Sequence, residues 1–259
     1  MDATTQTSTK PPAPVVFVPG YGHADRGWDL LRRHLHRAGF TSVSVAPESA
    51  GRGDIPHRAE RLAHHVATVL ELTGADHVHI VAHNVGGVVA RYYLQLLGGD
   101  EVVDTVVTIA SPHTGSLLTP VGLGPAAAQL RPGSTVLRHL DESTRPLPVR
   151  WISYFADQDV FVQPSTSAML KHPVMRATNV LVEETGHLSL ILPTPVCRSV
   201  AHQLAAAEGF PGFGAPVASL PGAVVRLDGD RETAAVTASK AAHPSNYPGR
   251  RRAPIAAHR

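Results

Sequence analysis

The sequence predicts an α/β domain built on a mostly parallel, doubly wound sheet of about six strands. Three observations predict it. Short β-branched runs alternate with stretches of helical spacing from residue 15 to residue 208. Each apolar run ends in a turn rich in Gly, Pro, Asp or His, at 19–23, 82–87, 111–116, 156–159 and 185–187. The stretch VHIVAHNVGGVVARYYLQLL, Val78 to Leu97, passes from strand to tight turn to helix with little room between them. Parallel sheets of this kind place their sites beyond the carboxyl ends of the strands, where these turns converge.

Taken in order, residues 1–14 are polar and Pro-rich and are expected to be disordered. Val15 to Val18 is a buried-strand run stopped by Pro19-Gly20. Trp28, Leu31, Leu35 and Ala38 recur at helical spacing, with Gly39 as the stop. Val43 and Val45 mark a short strand, and 46–54 a polar loop. Leu62, Val66, Val69 and Leu70 form one face of a long helix ending before Gly74. After the central stretch come a strand over 102–110, one or two short helices around Pro132-Gly133, a strand over 150–155 and a strand over 178–182. Val196, Val200 and Leu204 support a final helix, which closes a domain spanning 15–208. From 209 to 259 the chain turns to Pro, Gly, Ala and Ser with little periodicity and is expected to be mostly disordered.

Composition narrows the function classes. At 259 residues and 43% hydrophobic content, the chain can bury one sizeable core. No apolar run reaches the roughly 18–20 residues of a membrane span, so stable membrane insertion is not expected. The N-terminus lacks an apolar signal-peptide core, and the chain as written reads as cytoplasmic, or as secreted if an export signal has been removed. The net charge of +2 hides an asymmetry: from Arg226 onward 7 Lys/Arg meet 3 Asp/Glu, and the remainder is slightly acidic. The run Arg250 to Arg252 has no aromatic interleaving, so it reads as a solvated tail and no nucleic-acid partner is expected. A single cysteine, Cys197, lies in an apolar helical pattern and reads as a buried structural thiol. The His23/Asp25 and His64/His65 pairs have no third ligand-like partner nearby, so no metal and no cofactor are assigned.

Four segments then carry a resemblance. They are VVFVPGYG (15–22), VAHNVGGVVARYY (81–93), VVTIASPHTGS (106–116), and DQDVFVQP (157–164) followed by ETGHLSL (184–190). In this order they resemble the α/β-hydrolase superfamily, and within it the small bacterial triacylglycerol lipases and esterases. The resemblance implies an α/β-hydrolase fold with a minimal cap. It implies an oxyanion loop at 19–22, a nucleophile elbow centred on Asn84, a catalytic acid at Asp159 (or its alternative, Asp157) and a catalytic histidine at His187. The backbone N–H groups of Tyr21 and Val85 would be the oxyanion donors. His83 and His113 read as packing or supporting residues near the site. The expected substrate is a small apolar ester or acyl compound, and the expected state is a monomer. Leu117, Leu118, Val121 and Leu123 would give the segment after residue 110 an apolar edge, suited to a small flap.

One position departs from the family pattern. G-x-S-x-G elbows carry serine where this chain carries Asn84. A carboxamide is a poor nucleophile, yet asparagine tolerates the positive φ that the elbow demands. Three readings stay open: an enzyme of esterase descent whose acyl-enzyme route is impaired; a non-covalent enzyme using a His187–Asp159 dyad as general base (a lyase, cyclase or direct-water hydrolase); and a ligand-binding pseudoenzyme. Ser111, Ser116 and Ser189 are the serines that could substitute as nucleophile.

Overall fold

The computed structural model describes residues 11–21, 25–46, 53–118, 124–210, 213, 224–228 and 231–233. Its centre is one eight-stranded sheet in the order β2-β1-β3-β4-β5-β6-β7-β8. The strands are β1 (Val15–Val18), β2 (Ser42–Ser44), β3 (Val78–His83), β4 (Val103–Ile109), β5 (Leu147–Ala156), β6 (Met175–Val182), β7 (Val224–Asp228) and β8 (Arg231–Thr233). All neighbours pair in parallel except β7 and β8, which are antiparallel.

The sheet exceeds the expected six strands by two, both in the segment after residue 208. β7 pairs with β6 from Asn179↔Val224 to Val182↔Leu227. Its alternation is short, with Val225 and Leu227 buried, and Pro and Gly in the flanking sequence mask it. Most other residues of 209–259, including the basic run Arg250 to Arg252, lie outside the described residues, as do 1–10, His23 and the apolar Val121 and Leu123.

The strand residues split between two cores because successive side chains point to opposite faces. Val16, Ile80, Ala82 and Val106 face α2 (Ile55–Thr73) and α3 (Val85–Leu96). Val15, Phe17, Val81, Val107 and Ile152 face α1 (Asp29–Arg37) and α6 (Thr194–Ala207). The helix ends follow local rules. Asp54 caps α2 through its carboxylate, which accepts the His57 N–H at 2.9 Å, and Gly74 ends the helix in a left-handed conformation.

Between β4 and β5 stand α4 (Pro125–Gln129) and α5 (Thr135–Glu142), on either side of Pro132-Gly133. α5 is pinned from below by Arg91 of α3, which is 1% exposed. Its guanidinium donates to the Gln95 side chain at 2.8 Å, the His113 carbonyl at 3.0 Å, the Leu140 carbonyl at 3.1 Å and the Asp141 carboxylate at 2.7 Å. A buried arginine with all three nitrogens of its fork hydrogen-bonded fixes α5 and the loop after β4 to the same helix.

Candidate active site

β3 delivers the elbow. Its six residues are all buried, and the chain reverses direction at Asn84 to enter α3. Asn84 has φ 52° and ψ −126°, a conformation most side chains avoid and asparagine accepts. The turn is tight enough to exclude side chains on its inner surface. At Gly86 a Cβ would run into the Val18 carbonyl oxygen, and at Gly20 it would stand 2.8 Å from the Asn84 Cβ. The loop after β1 therefore presses its backbone directly against the elbow. Tyr21 follows in that loop, its ring beneath the Arg58 guanidinium at 5.1 Å.

The histidine and the acid arrive from the next strand ends. His187 lies five residues beyond β6 and is 4% exposed. Its Nδ1–H donates to Asp159 Oδ2 at 2.7 Å. Asp159, 1% exposed, accepts two further hydrogen bonds on Oδ1, from the Phe161 and Val162 N–H groups at 2.8 Å each. Three donors hold a buried carboxylate in one orientation, and Asp159 in turn holds the imidazole. Asp157 is exposed and stands outside this arrangement, so of the two aspartates only Asp159 meets His187.

Asn84 completes the chain of contacts. Its Nδ2 donates to His187 Nε2 at 2.7 Å, and its Oδ1 accepts the Val85 N–H at 2.6 Å. The amide orientation follows from chemistry: a backbone N–H can only face the carboxamide oxygen, which leaves the NH2 for the histidine. The imidazole must then be bare at Nε2 and protonated at Nδ1. So the line Asp159–His187–Asn84–Val85 is a closed hydrogen-bonded string. It occupies both the histidine's lone pair and the backbone donor that follows the elbow residue.

The surrounding residues shield or support this string. His83 is 1% exposed, its ring 5.0 Å from that of His187 and edge-on to Trp28 at 6.5 Å. The Phe161 ring lies 5.2 Å from that of His187. His113 is fully buried, and burial, with the Arg91 charge, holds it well below the usual imidazole range. Its Nε2 meets Thr108 Oγ1 at 3.1 Å, and Thr108 donates to Ser153, which donates to the Ala168 carbonyl. This network lies beneath the site and away from the His187 string, in keeping with a structural histidine.

Ser111 is buried, with its hydroxyl 3.4 Å from the Ile109 carbonyl. Ser116 donates to the Phe161 carbonyl at 2.8 Å and accepts the Gln163 N–H at 3.0 Å, which ties the two loops together. Ser189 is exposed.

Similarity to known proteins now meets this geometry. A family described as alpha/beta hydrolase fold matches residues 13–133, from the first strand through the elbow and the segment beyond it. The chain has the α/β-hydrolase fold. Two triacylglycerol lipases, from Pseudarthrobacter phenanthrenivorans and Burkholderia plantarii, are each 33% identical to this chain over 111 residues. Each match covers 40% of this chain but only 34% and 30% of the two lipases, about a third of the length of the curated relatives. Among solved structures, the mature Bacillus licheniformis lipase BlEst2 superposes with a TM-score of 0.61 at 16% identity, over 76% of this chain and 94% of that one. Aspergillus fumigatus lipase B superposes with a TM-score of 0.65 at 17% identity, over 80% and 54%. The chain thus has the α/β-hydrolase fold and is similar to triacylglycerol lipases over part of its length, with a His–Asp pair and an asparagine at the elbow position.

The spacing of neighbouring residues missed one constellation. His77, His79 and Glu208 bring their ligand-type atoms within 4.8 Å of one another, the one such three-residue cluster among the described residues. The His-x-His spacing on a strand was the signal available, since residues two apart share a face. The partner, 129 residues further on, gives no local pattern.

Proposed function

We propose that this chain binds small apolar carboxylic esters or related acyl compounds as a monomer, in a lipase-type site, and that its covalent acyl-enzyme route is disabled. The observation that carries this reading is the Asn84 carboxamide, bonded at once to His187 Nε2 and to the Val85 N–H. In a serine enzyme the first partner would receive the nucleophile's proton, and the second would hold the developing oxyanion. Here both are engaged by a group that cannot form an ester. Loss of a serine nucleophile costs about 10⁶ in turnover and leaves about 10³–10⁴ over water.

The apolar character of the ligand rests on the rim. Leu117, Leu118, Val160, Phe161 and Leu188 are all exposed, on loops that follow β4, β5 and β6. These loops are cross-linked, since the Leu117 N–H donates to the Gln163 carbonyl at 2.9 Å. Such a rim favours an acyl or alkyl group over a charged one.

A second reading has its own support. The His187–Asp159 pair is buried and short, and its tautomer leaves Nε2 as an acceptor. With Asn84 rotated aside, that nitrogen can take a proton from water or substrate without a covalent intermediate.

Three proteins separate these readings: wild type, Asn84→Ser and His187→Ala. Wild type is expected to hydrolyse p-nitrophenyl butyrate weakly and to escape labelling by a fluorophosphonate probe. Asn84→Ser is expected to gain both activities. Stoichiometric labelling of wild type would overturn the proposal and place a substitute serine in the site. A native activity lost in His187→Ala would favour the dyad reading.

A further inference from the structure

The cluster at the opposite end of β3 has no part in the chemistry described above. His77 precedes the strand and His79 is its second residue, so both imidazoles project to the α1/α6 face. Glu208 follows the last residue of α6 and reaches the same point. His79 Nε2 meets Glu208 Oε1 at 2.9 Å, and His77 Nε2 meets the same oxygen at 3.2 Å. The two rings stand 5.8 Å apart at 78°. His79 is fully buried, while the side chains of His77 and Glu208 are 23% and 15% exposed, which leaves one open approach.

We propose that His77, His79 and Glu208 form a zinc site that clamps the end of α6 to the start of the central strand. Zinc bonds of about 2.0–2.1 Å to nitrogen and 2.0–2.2 Å to a carboxylate oxygen give a tetrahedron with edges of about 3.3 Å. The two nitrogen–oxygen separations, 2.9 and 3.2 Å, already lie close to that edge. The donor set of two imidazoles and one carboxylate suits zinc, and leaves a fourth position on the exposed side for water. The three donors come from a strand and a helix end held in the sheet core, so few torsions remain to be fixed on binding. His77, the more exposed of the pair, supplies the adjustment that draws the two nitrogens together.

The proton accounting is closed. Each imidazole now faces the carboxylate through Nε2. On binding, zinc takes the Nε2 lone pair of each ring, and the proton that Nε2 carried passes to Nδ1 or to solvent. His79 Nδ1 has no hydrogen-bond partner in the structure. Loss of such an outer partner weakens metal sites by about 10–100-fold, so the expected affinity is micromolar and not nanomolar. The site lies about 16 Å from Asn84, five residues along β3, and its metal would not reach the substrate.

The test uses the full chain, freed of metal with a chelator and titrated with zinc chloride. Wild type is expected to bind one equivalent and to gain roughly 5 °C or more in Tm at a hundredfold excess over Kd. Cobalt(II) is expected to give a visible tetrahedral spectrum. His77→Ala and Glu208→Gln, both at partly exposed positions, are each expected to weaken binding by at least about 10-fold and to lose the cobalt signal. His64→Ala, on the far helix, is expected to change neither. Circular dichroism without metal verifies that the variants fold. Absence of a stoichiometric site in wild type would overturn the proposal. So would binding of unchanged strength in folded His77→Ala and Glu208→Gln, which would assign the ion to other histidines.

Discussion

Asn84 is the residue on which the chemistry turns, and it is held from both ends. Replacing it with serine keeps the elbow and supplies the missing hydroxyl 103 residues upstream of a histidine already bonded to its acid. The gain expected for Asn84→Ser on p-nitrophenyl butyrate is at least about 10³-fold in kcat/KM, within the range that loss of a nucleophile costs. In that background Asp159→Asn should lower kcat by about 10⁴, because it removes the partner that fixes the imidazole tautomer. Asp157→Asn should change it little, since Asp157 is exposed and away from His187. Steady-state kinetics of the three variants decides both points. At the same scale, burial pushes the Cys197 thiol up to about 12, and its Sγ points to the Ile191 carbonyl. The native protein should therefore resist iodoacetamide at pH 8 and react fully once unfolded, as mass spectrometry would read.

At the scale of elements, the turn between β3 and α3 and the seat of α5 are the two joints that shape the site. Gly86→Ala would force a Cβ into the Val18 carbonyl, and backbone cannot step aside cheaply. That variant should lose several degrees of Tm and any gained esterase activity together. Arg91→Met would leave the His113 and Leu140 carbonyls without their donor beneath α5. Its cost is expected at about 1–3 kcal/mol in urea unfolding, the range for stranding a buried carbonyl, since the Asp141 carboxylate is half exposed and stays solvated. These joints also show what a sequence can disclose. The elbow was legible because its constraints are local: small residues where backbones touch, a positive φ where only a few residue types are at ease. Asp159 and His187 were legible because they close loops at fixed places after recognisable strands. Arg91 gave no signal, since its partners other than Gln95 lie 22, 49 and 50 residues away and an arginine on a helix reads as surface. β7 was hidden for a related reason: a short strand at a sheet end needs few apolar residues, and its parallel pairing leaves no hairpin signature.

For the molecule as a whole, the sheet separates two functions along one strand. The carboxyl end of β3 presents the elbow, and its amino end meets Glu208 and the end of α6. Burial pushes the Glu208 carboxyl up, but the His77 and His79 hydrogen bonds outweigh this and hold it below the usual carboxylate range. A carboxylate lowered in the folded state adds stability that is complete above its unfolded value, about 4.5, and fades as pH falls below it. The Tm difference between wild type and Glu208→Gln, both without metal, should therefore shrink as pH falls below about 4.5. Among the described residues no helix is long and apolar enough to cross a membrane.

The bond between Asn84 Oδ1 and the Val85 N–H has a consequence for binding as well as for catalysis. A side chain tethered one residue from the donor it occupies is a competitor that never diffuses away, and any incoming carbonyl must first evict it. Asn84→Gly removes this tenant while keeping a residue at ease at φ 52°. Titrated with a non-hydrolysable alkyl amide, that variant should bind more tightly than wild type, with no new contact made.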